Sequence, residues 1–86
     1  MEINQLILSI KEKLKKKILI ENIDIEDKTF LHKDHTNHQI GKYHIKLKIE
    51  SIELKKLSKI DATKKIYNIL GDEIKKYIHS IQILIN

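Results

Sequence analysis

The sequence predicts a single α+β domain in which helices cover one face of a three-stranded mixed sheet. Three observations predict it. Apolar residues recur at helical spacing near the start, they alternate with polar residues in later stretches, and a second helical stripe precedes the last strand. That final helix lets the last strand run parallel to an earlier one. The chain has 86 residues, the length of one domain rather than two. The order read along it is α-β-β-α-(α)-β.

Each element has its own warrant. Ile3, Leu6, Ile7, Ile10, Leu14 and Ile18 fall on one helical face, which predicts a helix over residues 3–17 with Asn4 as a candidate cap. Lysines crowd its last turns, where the helix dipole favours cations. Residues 20–27 read as a short strand, because Ile23 and Ile25 alternate with Asp24 and Glu26. Residues 27–42 have no period and read as a long loop; in so small a domain such a loop is commonly functional. Tyr43, Ile45, Leu47 and Ile49 then alternate with His44, Lys46, Lys48 and Glu50, the clearest strand in the chain. After a turn over 51–57, Ser58 and Asp61 resemble a capping box. Ile60, Ile66, Tyr67, Leu70 and Ile74 continue a helical stripe, and Gly71 is expected to break it, leaving 72–77 as a separate short helix. Ile78 to Ile85 reads as the last strand, with Ile81, Ile83 and Ile85 on one face together with His79.

Composition narrows the function. There is no cysteine, so the chain supplies no thiolate to a metal and no cysteine nucleophile. A small secreted domain usually carries disulfides, so a cytoplasmic location is expected. Leu6 to Ile10 is only a short apolar patch closed by Lys11, so neither a signal peptide nor a membrane span is expected. The formal charge is +5, and all 17 basic residues are lysines. Lysine lacks the bidentate fork with which arginine reads phosphate and guanine. The charge therefore suits general attraction to acidic partners more than sequence readout. No glycine-rich phosphate loop and no Ser-x-x-Lys or His-Glu-x-x-His pattern is present. Asp72 and Glu73 are helical neighbours that do not face one another, and they read as a helix-start pair. An enzyme is not expected.

The order and spacing of several short motifs resemble the BolA-like family over nearly the whole chain. Ile23-Asp24-Ile25-Glu26-Asp27-Lys28-Thr29-Phe30-Leu31-His32 is similar to the family's "leu-x-val-x-asp-x-ser-x-x-his". His44-Ile45-Lys46-Leu47-Lys48-Ile49-Glu50-Ser51 is similar to "his-phe-x-val-x-val-val-ser". Ile66 to Ile74 resembles "val-tyr-x-x-leu-x-glu-glu-ile", and Ile78-His79-Ser80-Ile81 resembles "ile-his-ala-leu". The chain departs from the pattern at Leu54-Lys55-Lys56, where the family usually has Phe-x-Gly. It departs again at Ala62-Thr63-Lys64, where the family has Arg-His-Arg.

The resemblance implies a class II KH-like fold and a partner, a monothiol glutaredoxin. It implies a [2Fe–2S] cluster shared between the glutaredoxin cysteine, a glutathione thiolate and two groups of the BolA-like chain. Those groups would be His79 and a histidine of the 27–42 loop, His32 first and His35 second. Imidazole is a known substitute for thiolate on a cluster iron, and because the neutral ring binds, affinity falls with acid. Read without the resemblance, His79 is first a partly buried histidine bonded to backbone. His32, His35 and His38 are equally a solvated loop or, at lower weight, a three-histidine zinc site. His44 alternates with Ile45 and shares a face with Lys46 and Lys48. It is expected to be exposed and to point away from His79, against joint ligation. The alternative function is a KH-like nucleic-acid-binding transcriptional regulator using Lys55, Lys56, Lys59, Lys64 and Lys65. A KH site needs a Gly-x-x-Gly loop, and here Gly41 and Gly71 stand apart, so only weak, salt-sensitive binding is expected. Alone, the chain is expected to be a monomer or a homodimer.

Overall fold

The computed structural model describes residues 1–29 and 42–86. Its elements are α1 (Ile3–Lys17), β1 (Asn22–Asp27), β2 (Tyr43–Glu50), α2 (Ile52–Lys55), α3 (Lys59–Ile69), α4 (Gly71–Tyr77) and β3 (Ile78–Ile85). The sheet order is β1-β2-β3. β1 and β2 are antiparallel, with Ile25 opposite Leu47. β3 runs parallel to β2, with Ile45 opposite Ile81 and Leu47 opposite Ile83.

The apolar stripes do what their periods require. Leu6, Ile10 and Leu14 of α1 and Ala62 and Ile66 of α3 are buried with Ile23, Ile25, Ile45, Leu47 and Ile49 of the sheet. Removing this apolar surface from water is the main term that holds so small a fold together. The other face of the sheet carries Asp24 opposite Lys48, and Glu26 opposite Lys46. Opposite charges across a strand pair suit an uncovered face.

Local chemistry sets the element ends. α1 is capped by Glu2 rather than Asn4: the Glu2 carboxylate accepts from Asn4 N–H at 3.1 Å, and Gln5 reaches back to Glu2 N–H. Ile3 is already helical, which places the cap one residue before it. The turn expected over 51–57 contains the one-turn helix α2. Buried Ser51 caps it, accepting from Leu54 N–H at 3.1 Å and donating to the Leu19 carbonyl at 2.8 Å. Ser58 caps α3 by accepting from Asp61 N–H at 3.0 Å. The break between α3 and α4 lies at Leu70, whose φ/ψ of −96/15 leaves the helical region, rather than at Gly71. A Cβ on Gly71 would meet nothing within 4 Å, so no close approach demands a glycine there. Leu70 is fully buried.

Glu73, expected to be only a helix-start residue, also ties α4 to α1. Its carboxylate is buried and accepts from Lys13 Nζ at 2.6 Å, with Ser9 Oγ at 3.5 Å. The Glu73 hydrogen bond raises the Lys13 ammonium above its usual 10.5, with burial opposing it. A raised pKa stabilises the fold below the unfolded value, so the contribution of the Lys13 ammonium is present through neutral pH and is lost in strong alkali.

Candidate metal-ligating edge

β3 starts directly from the end of α4, and buried Ile78 anchors the junction. The pairing of β2 with β3 then slips. Tyr43 is opposite Ile78, but His44 is opposite Ser80. His79 is thus the extra residue of a bulge, the device that re-aims a side chain at a strand end. It is exposed.

The slip overturns the expected opposition of His44 and His79, and His44 is buried rather than exposed. Strict alternation put His44 and His79 on opposite faces, with His44 in solvent. In the structure the His44 and His79 ring centroids are 4.9 Å apart, edge to face, and His44 is 94% buried, being only 6% exposed. One additional residue in β3 inverts the facing of whatever precedes it. His44 Nδ1 and Ser80 Oγ share a hydrogen bond of 2.6 Å, so the ring beside His79 is itself held. The backbone of His44 is held as well. Its N–H donates to Thr29 Oγ1 at 3.2 Å, and its carbonyl accepts from Lys28 N–H at 2.7 Å. Asp27 orders that corner by accepting from Thr29 N–H at 2.9 Å, the side-chain turn that Asp makes two residues ahead.

His32, His35 and His38 lie outside the described residues. The two residues that flank their segment closest, Thr29 and Lys42, are both at the His44 end of the sheet. Among the described residues, no group of three or more His, Cys, Asp or Glu side chains could hold a metal. A metal held through His79 would need the rest of its ligand set from residues 30–41 or from another molecule.

Of the five lysines singled out in the sequence, four are exposed and one is ion-paired. Lys55, Lys56, Lys59 and Lys64 are exposed around α2 and α3. Lys65 is engaged, its Nζ 3.0 Å from Glu53 Oε2. That bond and the Leu19 N–H hold the Glu53 carboxyl below its ordinary range. Ala62, the first residue at the family's Arg-His-Arg position, is buried in the core. No helix among the described residues is long and apolar enough to cross a membrane.

Sequence reasoning missed Ser80, Thr29 and the His44–His79 contact. Only the Ile78-His79-Ser80-Ile81 spacing carried a trace of them, since Ile78 and Ile81 both reach the core although three residues apart.

The model of the BolA-like protein family matches residues 14–86. Among solved structures, the chain is similar to the BolA domain of SufE1 from Arabidopsis thaliana, at 28% identity and a TM-score of 0.76, over 92% of this chain and 87% of that one. It is similar in fold to BolA1 from Arabidopsis thaliana, at 22% identity and a TM-score of 0.75, with the same coverage. The solution structure of BolA1 from Mus musculus aligns at 15% identity and a TM-score of 0.73, over 92% of this chain and 62% of that one. No curated protein matches the sequence.

Proposed function

The chain belongs to the BolA-like protein family, and on that footing we propose that it is a non-enzymatic adaptor that binds a monothiol glutaredoxin and shares a [2Fe–2S] cluster with it. The role would lie in iron–sulfur cluster trafficking or iron sensing. The observation that carries the proposal is His79: an exposed imidazole on a bulge at the edge of the sheet, backed by a ring that Ser80 holds. A ligand that must reach a cluster on another protein has to be exposed, and His79 is exposed with its ring set edge to face against that of His44.

The donor set fits a shared site better than a resident one. A lone imidazole does not hold an iron–sulfur cluster, and the chain has no thiol to add. Two thiolates from glutaredoxin and glutathione, with His79 and His32 or His35 from this chain, complete the four positions such a cluster requires. The cluster, when bound, would supply electron-accepting and exchange chemistry. This chain's residues would bind one edge of it and release it on protonation.

Size-exclusion chromatography under anaerobic conditions tests the partnership. Cluster-loaded monothiol glutaredoxin mixed with this chain is expected to elute as a heterocomplex carrying the visible absorbance. Glutaredoxin eluting alone with all of its cluster would contradict the proposal.

A further inference from the structure

We propose that the outer edge of β3 is a self-association edge, at which a second copy of this chain adds its own β3 antiparallel. This goes beyond the cluster-sharing role and does not depend on it. β3 is an outer strand of the sheet, paired among the described residues only with β2. Its eight residues, Ile78–Ile85, include no charge, no glycine and no proline. Exposed edges are normally guarded by such residues. The opposite edge is guarded: β1 carries Asp24, Glu26 and Asp27. The contrast selects β3 with β3, because pairing through β1 would set three carboxylates along the seam.

The backbone fixes the register. Asn86 donates its N–H to the Ile49 carbonyl at 2.8 Å and accepts from Ser51 N–H at 3.2 Å, so both of its polar groups point toward β2. In a parallel ladder this direction alternates residue by residue. Ile81, Ile83 and Ile85 therefore turn their N–H and carbonyl groups outward. An antiparallel pairing centred on Ile83 of each copy sets Ile83 against Ile83 and Ile81 against Ile85. Every outward group then finds a partner, and a shift of two residues in either direction leaves some unpaired. The same register aligns the half-buried side chains of Ile81, Ile83 and Ile85 into one ladder across the seam. A groove of about 360 Å³ opens beside it, lined by Leu54, Leu57, Ile83, Leu84 and Ile85 among others. It gives the second copy's isoleucines an apolar seat. The seam lies along Ile45–Ile49, toward Ser51 and away from Thr29 and Lys42.

Each copy carries a formal charge of +5, so salt should strengthen the dimer. The screening length is roughly 10 Å at 0.1 M salt and shrinks as salt is added. Sedimentation equilibrium of the full chain at about 0.05 and 0.5 M salt tests the proposal together with two double variants. In the proposed register Gln82 faces the partner copy's Leu84. Gln82→Lys with Leu84→Lys sets lysine against lysine and is expected to weaken the dimer about tenfold. Gln82→Glu with Leu84→Lys sets opposite charges there and is expected to restore it. Both side chains are on the uncovered face and are exposed, and thermal melts establish that each variant folds. A wild-type chain that stays monomeric at both salt concentrations overturns the proposal. So does a dimer indifferent to the lysine pair, or a lysine-pair monomer that the Glu/Lys pair does not rescue.

Discussion

His79→Ala is expected to abolish the shared-cluster spectrum while leaving the domain folded. The two effects separate because of where His79 sits. It is exposed, so little apolar area is lost with it, and surface substitutions commonly stay within about 0.5 kcal/mol. Losing the edge-to-face contact with His44 adds about 0.5–1.5 kcal/mol at most. For a domain of this length, each kcal/mol moves Tm by about 4–8 °C. A melt lowered by no more than about 16 °C and still cooperative, together with complete loss of the cluster signal in the glutaredoxin mixture, is the expected result. His44→Ala makes the contrast: that ring is buried and bonded to Ser80, so the fold should suffer before the ligand does. An unchanged cluster spectrum in His79→Ala would remove His79 from the ligand set.

The largest stability effect is expected from Leu47→Ala. Leu47 is in the central strand, opposite Ile25 on one side and Ile83 on the other, and it is 0% exposed. Deleting three buried carbons there loses transfer free energy and leaves a cavity that flanking strands cannot easily close, together about 2–5 kcal/mol. A domain of this size has a total stability of roughly 4–13 kcal/mol, so Tm should fall by at least about 10 °C. Urea unfolding should show a lower midpoint with an unchanged slope. Leu19→Ala is the control: Leu19 is 70% exposed, and its loss should be within about 0.5 kcal/mol. Equal effects at the two positions would mean that the core is not built around β2.

The sequence made the fold legible because periods survive translation into three dimensions. The stripe through Leu6, Ile10 and Leu14 marked α1 to its last residue, and the alternation from Tyr43 to Glu50 marked β2. β1 begins at Asn22, two residues later than the apolar pattern suggested, because the chain is still leaving α1 at Leu19 and Ile20. The single turn of α2 was hidden because four residues carry no period. The candidate site was legible by residue type and by motif, but its geometry was not. Alternation placed His44 and His79 apart, and a single bulge between Ile78 and Ser80 brings them together. Bulges leave almost no trace in one sequence, since one extra residue resembles a change of face. The loop histidines His32, His35 and His38 were named from their spacing and from the family pattern, and they lie outside the described residues. Glu73 was read from its neighbour Asp72, whereas its partner Lys13 is 60 positions away in the chain, a separation no local pattern reports.

The most direct test of cluster sharing is visible circular dichroism of a [2Fe–2S] cluster assembled anaerobically on a monothiol glutaredoxin with glutathione, recorded with and without this chain. A chiral environment altered by the chain, and returned to the glutaredoxin-only form by His79→Ala, is the predicted result. A spectrum that the chain leaves unchanged would contradict the proposal, and the histidines at this edge would then be structural.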